Sequence, residues 1–210
     1  MIINQEVTAL HIGPIELISG AALAPMAGIT DAAMRNLCAQ HGAAFTVSEM
    51  VSAMALTMGD RKSLALLRGR PGAAPGGQPV PYGVQLFGQK PQVLAEAVRR
   101  IEEEDFDFLD LNMGCPAPKI VRGGAGSALL KDPAAAGAFA TAAVQASSRP
   151  VTAKMRIGWD AECLLGVEVA RRCEDAGVCL LVVHARTRAQ QYTPGVNFDA
   201  VAQIKQAVAI

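Results

Sequence analysis

The chain has 210 residues, 51% of them hydrophobic and 18% charged, with a formal net charge of +0. That is ample apolar material for one core, and the balanced charge excludes a general nucleic-acid coat protein, which depends on a positive field. Aromatic residues make up only 4%, too few for the stacking platforms of single-strand binders. Apolar runs break at Gly, Pro or charge well before the roughly 18 residues that suggest a membrane span.

From Ile2 to Leu17 the chain reads as an extended lead-in, with Leu10, Ile12, Ile15 and Leu17 flanking a Gly13-Pro14 turn. Ala21 to Ala24 predicts a short buried strand that ends in Pro25-Met-Ala-Gly28. A helix then begins at Thr30-Asp31, with Ala33, Leu37 and Cys38 on its packed face, and Gly42 stops it. Phe45 to Glu49 predicts a second strand and Ala53 to Met58 a helix. Arg61 to Val80 is too rich in Gly and Pro around residues 68–79 to be regular structure, and reads as a loop excursion. Tyr82 to Phe87 is a third strand. Pro91 to Glu104 is an amphipathic helix with Val93, Leu94, Ala97, Val98 and Ile101 inward and Pro91 in its first turn.

Phe108 to Leu111 is short, mostly apolar and unbroken, as expected of a strand buried in a parallel sheet. Asn112 ends the run, and Gly114-Cys115-Pro116 turns the chain, which sets a thiol and an amide at a strand's carboxyl end. Ala117 to Lys131 reads as a mobile loop containing Lys119, Arg122 and Gly123-Gly-Ala-Gly126. It is not a dinucleotide fingerprint, because Leu129 stands where a third glycine is needed. Asp132 caps a helix opening at Pro133 and running to about Ser147. Pro150 to Met155 is a fifth strand, Leu164 to Ala176 a helix with Cys173 on its apolar side, Val178 to His184 a sixth strand, and Phe198 to Val208 a last helix.

Strand and helix thus alternate six times. The fold class expected is α/β, a partial TIM (β/α)8 barrel with about six of its eight units, since a full barrel takes about 250 residues. The chain stops where a seventh strand is due, so residues 1–210 are expected to be one barrel domain incomplete at its C-terminus. Its unclosed sheet edges are candidates for self-association. The five cysteines, at 38, 115, 163, 173 and 179, make no CxxC pair and no metal spacing. Together with the absence of a signal peptide they predict reduced thiols, no bound metal and a cytoplasmic protein.

Polar or reactive residues recur at the strand ends: Met26, Glu49, Gln85, Asn112, Cys115, Lys154, Arg156, His184 and Arg186. In a barrel these ring one mouth, where ligands bind. A Cys115–His184 nucleophile and base would make a thiolate hydrolase or transferase.

Ala24-Pro-Met-Ala-Gly-Ile-Thr-Asp31, Gln85-Leu-Phe-Gly88, Leu111-Asn-Met-Gly-Cys-Pro116, Lys154-Met-Arg156 and His184-Ala-Arg-Thr187 resemble the motifs of the tRNA-dihydrouridine synthase family, its bacterial DusB-like branch in particular. The resemblance runs from about Gly20 to the last residue and argues against the hydrolase. It implies an FMN-dependent enzyme that reduces the C5=C6 bond of uridines in tRNA, with NADPH as electron donor. Carried onto this sequence, it implies that Pro25, Met26, Ala27, Gln85, Asn112, Lys154 and His184 bind the cofactor. It makes Cys115 the proton donor, with Asn112, Lys119, Arg122 and Arg186 meeting uridine or tRNA phosphates. The family's phosphate-holding motifs after the seventh and eighth strands, and its C-terminal helical tRNA-binding domain, have no counterpart in these residues.

The chemistry stands apart from the resemblance. Uracil's C5=C6 bond is conjugated to the C4 carbonyl, so hydride adds at C6 and a proton must reach C5. An ordinary thiol, with pKa about 8.5, is protonated near neutrality and can supply it. A lysine ammonium stabilises an anionic reduced flavin. Two further readings are an FMN barrel acting on a free pyrimidine and an inactive RNA-binding fragment.

Overall fold

The computed structural model describes residues 10–18 and 20–210, so Ile2 to Ala9 of the lead-in lie outside the described residues. A two-residue hairpin, β1 (His11–Ile12) and β2 (Ile15–Glu16), turns at Gly13-Pro14 as expected. The main sheet follows: β3 (Thr46–Ser52), β4 (Tyr82–Phe87), β5 (Phe108–Met113), β6 (Val151–Arg156) and β7 (Leu180–His184). All its pairings are parallel and its spatial order is the chain order. The intervening helices include α1 (Ala32–Gln40), α2 (Ala53–Thr57), α4 (Pro91–Ile101), α6 (Pro133–Ala146), α7 (Gly166–Asp175) and α8 (Phe198–Ala207). From α2 onward these pack each against the next in that order. Sequential parallel strands with one continuous helical layer are the arc of a (β/α) barrel; a doubly wound sheet would reverse its strand order and carry helices on both faces.

Alternation along each strand sorts the side chains. In β5, Leu109, Leu111 and Met113 face the helices and join Leu86, Val84, Met155, Phe139, Val98 and Leu94 in the main core. Phe108, Asp110 and Asn112 face the other way, into the concave side. There the floor is apolar: Phe108 meets Phe45 edge-on at 5.6 Å, among Ile12, Leu17 and Val47. Gly83 lies beneath the Phe108 ring, where an added Cβ would come within 2.3 Å of Cε2. Above this floor the concave face turns polar.

Four expectations are corrected. Ala21 to Ala24 is not a buried strand. It pairs with the sheet only at a Leu23–Thr46 bridge, and its three alanines, all exposed, have little side chain to bury. In α1 the buried residues are Arg35 and Ala39, whereas Ala33 and Leu37 are exposed. Arg35 turns inward because it donates to the carbonyls of Thr30, Arg68 and Gly69 and lies over the Tyr82 ring. The excursion after Arg61 opens with a helix, α3 (Arg61–Leu66), capped by the Asp60 carboxylate. Residues 117–131 are likewise structured, as α5 (Pro118–Arg122) and a 3-10 turn (Gly126–Lys131) whose Leu129 and Leu130 enter the core. Among the described residues no helix is long and apolar enough to cross a membrane, and no group of His, Cys, Asp and Glu could hold a metal ion.

Candidate active site

At the carboxyl ends of the strands lies a cavity of about 590 Å³. Pro25, Met26, Ala27, Gln85, Asn112, Cys115, Lys154 and His184, singled out from the sequence, all line it. The other three do not. Lys119 lines a neighbouring cavity of about 530 Å³ on the far side of α5. Arg122 is exposed at the end of α5, and Arg186 reaches the site only through His184. Met50, Arg156 and Tyr192 line the cavity as well. Arg156 is one of the strand-end residues named from the sequence, and a bulge between Val47 and Met50 brings Met50 opposite Gln85. Nothing in the sequence pointed to Tyr192.

The Pro25–Gly28 segment is held by two contacts. The Thr30 hydroxyl accepts from the Met26 N–H at 3.0 Å and donates to its carbonyl at 3.2 Å. The Glu49 carboxylate takes the Gly28 N–H. The Ala27 N–H, at the cavity wall, has no partner among the described residues.

Cys115 is half-buried, and its turn is pinned from three sides. The Asn112 Oδ1 accepts from the N–H groups of Gly114 (3.2 Å) and Cys115 (2.9 Å). The Cys115 carbonyl accepts from the Ser127 N–H (3.1 Å) and hydroxyl (2.9 Å). That approach requires glycine at 126, with φ +60 and space for a Cβ only 2.9 Å from the Cys115 oxygen. The segment expected to be a mobile loop is therefore bonded to the cysteine's own backbone. From the third side Arg156, buried, donates to the Gly114 carbonyl.

Gln85 and Asn112 are largely consumed by one another. Asn112 Nδ2 donates to Gln85 Oε1 at 2.9 Å, and Gln85 Nε2 donates to Asp110 at 2.6 Å. Lys154, by contrast, is half-buried with no hydrogen-bond partner among the described residues. Burial lowers its pKa, and Asp110 partly offsets this. His184 is pushed down to about 4 by burial and by Arg156, Lys154 and Arg186. Its Nε2 lies 3.1 Å from Arg186 Nη1, so it accepts there and carries its proton on Nδ1. A ring so placed among three cations is a poor base for a thiol, which argues against the Cys115–His184 nucleophile reading.

The fold and cavity define a parallel (β/α)-barrel protein whose site is built at the carboxyl ends of its strands from loops and inward-facing side chains. The family profile described as Dihydrouridine synthase (Dus) matches residues 22–210, and the chain belongs to that family. Among its relatives is the tRNA-dihydrouridine synthase B of Pseudomonas syringae pv. tomato, 44% identical over 204 residues, covering 97% of this chain and 58% of that protein. The protein of the same name from Xanthomonas axonopodis pv. citri is 42% identical over 201 residues, covering 96% and 59%. That from Pseudomonas aeruginosa is 44% identical over 204 residues, covering 97% and 59%. The chain thus spans somewhat under three-fifths of the length of these relatives.

Proposed function

We propose that this chain is the catalytic barrel portion of a tRNA-dihydrouridine synthase that binds FMN, takes electrons from NADPH and reduces the C5=C6 bond of a tRNA uridine. The observation that carries the reading is the convergence of Cys115, Lys154, the Pro25–Ala27 backbone and His184 on one cavity. The donor set suits a flavin ring: an ammonium at Lys154 and an N–H at Ala27, both without a partner among the described residues, and apolar surface from Met26, Met50 and Tyr192.

When bound beside Lys154 and the Pro25–Ala27 backbone, a flavin would supply the hydride for uracil C6. Every other requirement falls to the protein. Lys154 holds positive charge where the electron-rich ring needs it, and its partial burial strengthens that field. Negative charge develops toward C5 and O4 of the uracil as C6 is reduced, and the Cys115 thiol delivers its proton to C5. The thiolate left behind faces the Arg156 guanidinium, which interacts with it electrostatically, until a proton returns from solvent. His184, neutral, offers its Nδ1 proton as a hydrogen bond. Lys119, Arg122 and Arg186 are proposed to meet tRNA phosphates outside the cavity.

The test is NADPH-dependent formation of dihydrouridine in unmodified tRNA, read by mass spectrometry, beside an absorption spectrum of the purified protein. Flavin bands and tRNA turnover, with none on free uracil or dihydroorotate, are expected. A colourless protein that cannot be loaded with FMN, or turnover of the free pyrimidines, would overturn the reading.

A further inference from the structure

Beneath the cavity a line of side chains runs across three strands. The Thr152 hydroxyl on β6 donates to Asp110 Oδ1 on β5 at 2.6 Å. Gln85 Nε2 on β4 donates to Asp110 Oδ2 at 2.6 Å, and Asn112 Nδ2, one step up β5, donates to Gln85 Oε1 at 2.9 Å. Asn112 Oδ1 then receives the backbone N–H groups of Gly114 and Cys115.

The direction of the bonds is set from the top. At the top two backbone N–H groups can only donate, so Asn112 must offer them its oxygen and turn its nitrogen to Gln85. Gln85 must then answer with oxygen and turn its own nitrogen downward. At the bottom that nitrogen donates to Asp110 Oδ2. Asp110 is 3% exposed and does not line the cavity around Cys115. Its Oδ2 nonetheless gives the last amide nitrogen of the line its acceptor.

We propose that Asp110 is a positioning residue for Cys115: through Gln85 and Asn112 it holds the turn that aims the thiol into the cavity. This deepens the function proposed above, and its test uses neither flavin nor tRNA, so that the two can fail separately. Without an acceptor at position 110, the buried Gln85 amide loses its anchor, Asn112 is freed, and the Gly114–Cys115 N–H groups lose a fixed acceptor. An asparagine at 110 keeps the line intact. Its oxygen faces Gln85 and its nitrogen faces Thr152, whose hydroxyl turns to the Leu109 carbonyl already 3.4 Å away.

The experiment measures iodoacetamide alkylation of each cysteine by peptide mass spectrometry in the purified chain. Cys38, half-buried on α1, serves as the reference, and buried Cys173 reports general opening. In Asp110→Leu the Cys115 rate should rise about threefold or more relative to Cys38, a change of roughly 0.65 kcal/mol in barrier, with Cys173 still protected. Asp110→Asn should match wild type. If Asp110→Leu does not fold, Gln85→Leu breaks the same line one bond higher and should give the same rise at Cys115. An unchanged Cys115 rate in the folded Leu variant overturns the proposal. So does a rise shared equally by Cys173, an Asn variant that behaves like Leu, or failure of both Leu variants to give a folded chain with altered Cys115.

Discussion

Arg156 donates from Nε to the Gly114 carbonyl at 2.9 Å, and that bond ties the end of β6 to the turn bearing the thiol. The same guanidinium reaches across to the far wall of the site. Its Nη1 donates to the carbonyls of Thr187 at 3.0 Å and Gln191 at 2.9 Å, and the group lies 5.5 Å from the Tyr192 ring centre. One planar cation thus joins the segments that follow β5 and β7, serving three carbonyls from two nitrogens held rigidly in one plane.

Arg156→Met should keep the aliphatic packing and leave those carbonyls without their donor. We expect a loss of about 2–4 kcal/mol in folding stability by urea denaturation, set by buried unpaired acceptors. Arg156→Lys should recover only part of it, since an ammonium cannot match the fork. A Met variant as stable as wild type would show that water replaces the guanidinium at little cost.

The floor of the concave face makes a separate prediction. A Cβ at Gly83 would lie 2.3 Å from Phe108 Cε2 and 2.5 Å from Cζ, and Phe108 is itself held edge-on by Phe45. Gly83→Ala should therefore destabilise by about 2–4 kcal/mol through overpacking. Phe108→Leu in the same chain makes room for the methyl, so the double variant should lose less than the sum of the singles. Strict additivity in a double-mutant cycle would contradict this.

For the chemistry, Cys115→Ala separates the two halves of the proposed reaction. The variant should bind FMN and accept electrons from NADPH at near wild-type rates, because its side chain has no part in that step. Dihydrouridine formation should fall by about 10²–10⁴-fold, the range for losing a positioned general acid. Unchanged product formation would remove the thiol from the mechanism.

Much of this architecture was legible because apolar runs bounded by Gly and Pro mark parallel strands well. Tyr82–Phe87 falls where the pattern put it, and β5 and β6 run only slightly further than expected. The cavity-lining set was legible from strand ends and motifs together. Charged residues that fold inward were legible only in part. Arg35 is buried through contacts with backbone carbonyls, which leave no mark on hydropathy, whereas Arg156, held the same way, was placed at the mouth by its strand-end position. The fully buried Asp110 shows why a run such as Phe-Leu-Asp-Leu-Asn-Met should be read by alternation. Leu109, Leu111 and Met113 face the helices while Phe108, Asp110 and Asn112 face the concave side, so the strand is not apolar on both faces. Short helices such as Arg61–Leu66 escape periodicity altogether and are betrayed only by a cap, here Asp60.

His184 gives the last prediction, on pH. Its pKa is lowered from 6.5 to about 4 in the folded chain, chiefly by burial and then by Arg156, Lys154 and Arg186. Above pH 6.5 the ring is neutral whether the chain is folded or not, and its contribution to stability is fully present. As pH falls below 6.5 the unfolded chain binds a proton that the folded chain refuses, so stability declines until the folded pKa is passed. Asp110 works in the opposite sense. Burial raises its pKa, so the folded chain takes up a proton before the unfolded one does, and acid favours the folded state at that residue. Both groups act in acid, and wild type alone would mix them. The difference between wild type and His184→Gln isolates the imidazole, because Asp110 is common to both. Urea denaturation across the window from 6.5 down to about 4 should therefore show wild type losing stability more steeply than the Gln variant, with parallel curves above it. Parallel curves throughout would mean that the ring protonates as readily in the folded site as in the open chain, and that the surrounding cations are screened from it by water.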